Sequence, residues 1–141
     1  MESEARRIQA TIADLAAINA DAERIAEVAA STWREMYAAL SPVIGPGGVT
    51  ALYQRSLYMT RVAHPCLASV REDALRPGEF AALQQVLSQQ TSTHVAAANG
   101  ALLLTFCDLL GSLISVSLTE RLLRSVHNLP ADGPAVPGTR G

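Results

Sequence analysis

The sequence predicts an all-α protein: a bundle of four to five helices with a long N-terminal helix and a buried central helix. Three observations carry this. The 49% hydrophobic content comes mainly from Ala and Leu, with aromatics at only 4%, a bias that favours helices over strands. Apolar residues recur three or four apart from Ile8 to Leu40, the spacing of one helical face. The stretch Phe80 to Leu118 is the most apolar of the chain, and read at helical spacing it leaves one thin stripe, Thr91, His94, Ala98, Ala101, Thr105, Asp108, Ser112, Ser115 and Thr119. A helix with so narrow a polar stripe is mostly buried.

The chain has 141 residues, the size of one ordinary domain and enough to bury a core without disulfide or metal staples. We expect one domain over residues 1–128 and a disordered tail over 129–141, where LPADGPAVPGTRG holds almost no apolar mass. Net charge is -2, with acids spread along the chain, so no nucleic-acid footprint is expected. All 11 basic residues are Arg. The absence of Lys excludes a Walker-type phosphate loop, a protein-kinase ATP site and a Schiff base. Cys66 and Cys107 form no CxxC pair and read as reduced, structural thiols. The charged, amphipathic start MESEARRIQATIADL is not a secretory signal, and a cytoplasmic location is expected.

The first element is read as one helix from Glu4 to about Leu40, free of Gly and Pro. Its stripe runs through Ile8, Ile12, Leu15, Ile18, Ala22, Ile25, Ala29, Trp33, Met36 and Leu40. At 1.5 Å per residue it would be roughly 55 Å long, more than a compact bundle needs. Residues 1–28 are therefore expected to project and to pair with a second copy through Ile8, Ile12, Leu15 and Ile18, giving a homodimer. The alternative is a bend at Ala29, Ala30 and Ser31 that folds the whole segment into one bundle. SPVIGPGG, Ser41 to Gly48, should stop the helix and turn the chain. It lacks the G-K-[ST] completion of a phosphate loop.

A second helix follows in VTALYQRSLYMTRVA, with Val49, Leu52, Tyr53, Ser56, Leu57, Met59 and Ala63 inward. Tyr58, flanked by Arg55 and Arg61, shares no apolar face with Leu52 and hints at a binding surface. His64-Pro65 ends it. A short helix, about Pro65 to Ala74, carries Leu67 and Val70 inward, and Pro77-Gly78-Glu79 would make the first turn of the central helix. Asn99-Gly100 is that helix's weak point, with uninterrupted passage expected. Ser117 and Glu120 match a capping box that opens a last helix from Leu118 to His127, with Leu118, Leu122, Leu123 and Val126 inward. Ala96 to Leu118 is long enough to span a bilayer, but Asp108 near its middle argues for a buried core helix and against a membrane span.

No catalytic set, cofactor site or metal site is assembled in the sequence. His64, His94 and His127 show no HExxH and no zinc-type spacing, and Gly111-Ser112 is no nucleophile elbow. Asp108 is the one carboxylate in an apolar setting, on a stripe with the Thr105 and Ser112 hydroxyls. A histidine on the central helix of a small bundle, here His94, resembles the histidine phosphotransfer domains. That resemblance implies a bundle whose His94 imidazole takes a phosphoryl group. The chain departs from the family's pattern at Ala97 and Ala98, where a Lys and a Gly stand three and four residues after the histidine.

The expected function is a non-enzymatic helical protein-protein interaction module, a bacterial signalling or regulatory adaptor that self-associates and binds a further protein. Arg55, Tyr58, Arg61, His94 and Asp108 are the candidate interaction residues. Phosphotransfer at His94, or a small apolar ligand held between helices, are the alternatives.

Overall fold

The structure, a computed structural model, describes residues 4–18, 21–70, 80–124 and 126. Its described elements are all helical: α1 (Glu4–Ala17), α2 (Ala22–Ile44), α3 (Pro46–Thr60), a 3₁₀ turn (Pro65–Ser69), α4 (Ala81–Ser88), α5 (Ser92–Ile114) and α6 (Val116–Leu123). Two 23-residue helices, α2 and α5, are the spines. α5 packs against α1, α3, α6 and α2, while α2 packs against α4, α3, α5 and α1.

The long first helix is two helices. Asp21, in extended backbone, accepts a hydrogen bond from the Arg24 N–H at 2.8 Å and so opens α2, a cap that the absence of Gly and Pro had concealed. α1 therefore folds back along α5 instead of projecting. Ile8 and Ile12 are fully buried inside this chain and Leu15 packs against the same core. The apolar stripe assigned to a second copy is covered by α5, which supplies the nearer apolar face. Only Ile18, 72% exposed, stays outside. The alternative, a bend at Ala29 to Ser31 that folds the segment into one bundle, has the right outcome at the wrong place: α2 runs through all three residues and the fold-back comes before Asp21.

The Ser41 to Gly48 turn shrinks to one residue. α2 continues through Pro42 to Ile44, Gly45 stands at φ 82° and ψ 153°, and α3 starts at once with Pro46 in its first turn. Proline's fixed φ suits a helix start, and the left-handed φ of the joint requires glycine. On α3, Val49, Tyr53, Ser56 and Leu57 are buried as expected, but Met59 is 47% exposed and Ala63 lies past the helix end. The segment from Pro65 tightens into a 3₁₀ turn that buries Leu67, with Val70 buried just beyond.

The apolar stretch from Phe80 is also two helices. Thr91 caps α5, its hydroxyl accepting from the His94 N–H at 3.2 Å, so the helix breaks at Gln89 to Thr91 and α4 packs on α2. Passage through Asn99-Gly100 is uninterrupted. Asn99 is buried and accepts from the Trp33 indole N–H at 2.9 Å. Gly100 meets α1 so closely that an added Cβ would stand 2.5 Å from the Gln9 amide nitrogen. Ala98, placed on the polar stripe, is buried, and the outward face carries Thr93, Ala97, Asp108 and Ser112. α5 is long and apolar enough to cross a membrane. In this fold 39% of its most apolar window is buried, with Val95, Leu102, Leu103, Phe106 and Leu110 packed among the other helices.

The few aromatics are concentrated at one point. Trp33 of α2 lies 5.3 Å from Tyr53 of α3, 6.0 Å from Phe80 before α4 and 5.2 Å from Phe106 of α5 between ring centroids, the last edge-on. Tyr53 also meets Phe80 edge-on at 5.1 Å. Edge-to-face pairs add about 0.5–1.5 kcal/mol each beyond area burial, so one cluster ties four segments together. The Tyr53 hydroxyl is buried with no hydrogen-bond partner among the described residues, and burial pushes its pKa up.

α6 begins at Val116, two residues before the expected start. Ser115 is its cap, the hydroxyl accepting from the Leu118 N–H at 3.1 Å. Glu120 is then too far along to close a capping box. It accepts instead from the Glu4 backbone N–H at 2.8 Å, capping α1 from across the bundle. Arg7 returns the contact by donating to the carbonyls of Leu123, the last residue of α6, and of Val126 beyond it. Pro77 to Glu79, His127 and the 129–141 tail lie outside the described residues.

Candidate functional site

The five candidate interaction residues fall on two surfaces. Arg55 and Tyr58 lie on α3, Arg61 is its C-cap, and His94 is in the first turn of the adjoining α5. Asp108 lies 14 residues further along α5, about 21 Å at 1.5 Å per residue, and belongs to a different place.

On the first surface the Arg61 guanidinium lies 4.2 Å from the centre of the Tyr58 ring, a cation–π contact between a turn residue and the helix that precedes it. Tyr58 is 56% exposed, and two apolar neighbours that sequence reasoning had not placed outside, Met59 at 47% and Val62 at 84%, stand beside it in the chain. Met59 is exposed because it lies off the buried face that Val49, Tyr53, Ser56, Leu57 and Thr60 form on α3, and Val62 because it lies past the helix end at Thr60, whose buried hydroxyl donates to the Ser56 carbonyl at 2.7 Å.

The acids, read above as spread along the chain, in fact leave two gaps along the same elements. Residues 36–71 contain none of the 13 acids, and residues 80–107 contain none either. α3, the 3₁₀ turn and the first four turns of α5 thus carry Arg55, Arg61, His64 and His94 and no carboxylate, although the whole chain is net negative.

His94 is half-buried and not alone. Its ring centroid is 6.0 Å from that of His64, the planes inclined at 51°. The sequence showed two isolated histidines thirty positions apart. The structure joins them because His64 ends the turn after α3, Thr91 starts α5, and α3 packs along α5. His94 therefore stands at the start of its helix, not midway along an exposed face. Among the described residues no group of three or more His, Cys, Asp or Glu could hold a metal ion.

The second surface is a cleft of about 370 Å³ between α1, α5 and α6, lined by Arg6, Cys107, Asp108, Ser112, Val116 and Glu120 among others. Asp108 is exposed there. The Ser112 hydroxyl donates to the Asp108 backbone carbonyl at 3.2 Å, not to its carboxylate. The Cys107 thiol is pushed up to about 12 by burial first, then by the negative charges of Glu120 and Asp108. A thiol so far from ionisation is a poor nucleophile. Cys66 and Cys107 are both free.

The α1 residues assigned to self-association do not form a surface, since Ile8 and Ile12 are core. No protein family, curated protein or solved structure matches the chain.

Proposed function

We propose that this chain is a non-enzymatic helical adaptor, of signalling or regulatory type, that binds an acidic amphipathic helix of a partner protein along α3 and the adjoining half of α5. The observation that carries the reading is the exposed set Tyr58, Met59 and Val62, bordered by Arg55 and Arg61 on elements that hold no carboxylate. Tyr, Met and Arg are the residue types enriched at interface cores, and an aromatic ring with a stacked guanidinium is a typical anchor. A helix with leucines on one face and glutamates beside them satisfies both halves of that surface.

The test is fluorescence-polarisation titration of the full chain with labelled amphipathic peptides of Leu and Glu, or of Leu and Lys, about five turns long. The acidic peptide is expected to bind, more weakly as salt rises. Tyr58→Ala and Arg61→Glu should each weaken it about tenfold or more, a loss of about 1.4 kcal/mol, while Asp108→Asn in the distant cleft leaves it unchanged. Equal binding of both peptides, or indifference to Arg61→Glu, refutes the proposal.

A further inference from the structure

We infer that His64 and His94 form a two-imidazole binding site for a late first-row divalent transition-metal ion, copper(II) ahead of zinc. A metal–nitrogen bond of about 2.0–2.1 Å puts each ring centroid roughly 3 Å from a shared ion, so two such rings stand about 4.5 to 6.4 Å apart as the angle at the metal opens from a right angle to a straight line. The observed 6.0 Å lies inside that range.

Both rings hang from pinned backbone. The His64 N–H donates to the Thr60 carbonyl at 2.9 Å, and its own carbonyl accepts from Leu67 at 2.9 Å. The His94 N–H is held by the Thr91 hydroxyl at 3.2 Å. Each ring is half-buried, which restricts its rotamers and leaves a side open to solvent.

The surroundings select the ion. Arg61 and the positive end of α5 oppose any cation, and no carboxylate on α3 or the first half of α5 offsets them. Affinity must then come from coordinate bonds to neutral imidazole, which suit copper and zinc, and not from oxygen ligands and Coulomb attraction, which suit magnesium and calcium. With no third His, Cys, Asp or Glu in reach among the described residues, water completes the shell.

The experiment is calorimetric titration of the chelator-treated full chain with zinc sulfate, and with magnesium chloride as contrast. One saturable zinc site and no magnesium site are expected. His64→Gln and His94→Gln, which keep side-chain bulk, should each lower zinc affinity at least tenfold with circular dichroism unchanged, whereas His127→Gln and Cys66→Ser should not. In a thiol-free background lacking Cys66 and Cys107, copper(II) should show electron-resonance hyperfine coupling to two nitrogens. No saturable zinc binding at millimolar concentration, binding that survives both glutamine substitutions, or binding lost with Cys66→Ser overturns the inference. The site stands or falls apart from the acidic-helix reading, because its test contains no peptide.

Discussion

Removing the indole donor while keeping an aromatic ring isolates a buried polar bond that joins the two spine helices. In Trp33→Phe the Asn99 side-chain oxygen, now paired at 2.9 Å and buried, loses its donor. An orphaned buried acceptor costs about 1–3 kcal/mol. The ring atoms lost from a fully buried site add about 1.5 kcal/mol, at about 0.8 per methylene-sized group, so the expected total is about 3 kcal/mol. Asn99→Leu, of similar volume, leaves the indole N–H orphaned instead and should cost about 2 kcal/mol. The double variant leaves neither orphan. It should lose only the ring atoms' share, about 1.5 kcal/mol, where simple addition gives about 5, a coupling of about 3.5 kcal/mol. Urea unfolding followed by circular dichroism resolves this, since 2 kcal/mol moves the midpoint by about 1 M at the usual slopes. Additivity within about 0.5 kcal/mol would mean that the bond contributes nothing to holding α2 on α5.

Three further outcomes follow from the same geometry. Gly100→Ala gains about 1 kcal/mol of helix propensity, and the new Cβ, 2.5 Å from the Gln9 amide nitrogen, needs only that flexible side chain to swing aside; the single variant should melt higher than the parent chain, and a lower melting temperature would refute this. Ser115, at φ 134° and ψ 155°, occupies backbone space nearly confined to glycine, a strain of about 1–3 kcal/mol. Ser115→Gly should therefore raise the melting temperature despite losing the cap, worth only a few tenths of a kcal/mol against glycine, while Ser115→Ala keeps the strain, loses the cap and lowers it. Because the folded Cys107 thiol titrates near 12, above the roughly 8.5 of an unfolded cysteine, the folded state binds more protons between those values. Its contribution to stability is complete below about pH 8.5 and declines as pH rises toward 12. Alkaline unfolding should be less steep in Cys107→Ala, and alkylation at pH 8 should reach Cys66 well before Cys107.

Much of the architecture was legible because helical periodicity and composition are local properties. The positions of Ile8, Ile12, Trp33, Met36, Leu40, Leu102 and Phe106 on buried faces follow from spacing alone, as does the exposure of Tyr58 beside two arginines. The breaks were harder to see. Asp21 and Thr91 end what looks like continuous helix with one side-chain hydrogen bond each, and neither residue type is rare inside helices. Ser115, not Ser117, caps α6 because a residue with a side chain accepts a left-handed φ, which no spacing rule anticipates. The candidate surface was half legible: Arg55, Tyr58 and Arg61 announced themselves by adjacency, but Met59 was read as inward and Val62 was not assigned, and both are exposed.

By itself the sequence determined that this chain is helical, which faces of its helices are apolar, and that its acids avoid residues 36–71 and 80–107, because all of these are written in residue type and spacing. Tertiary structure alone decided what covers each apolar face. The α1 stripe could have met another copy, and it met α5 because the break at Asp21 put that helix closer. It also decided that His64 and His94 share one location and that Asp108 does not. Proximity between residues thirty positions apart depends on how helices stack, and stacking is set by the whole core at once.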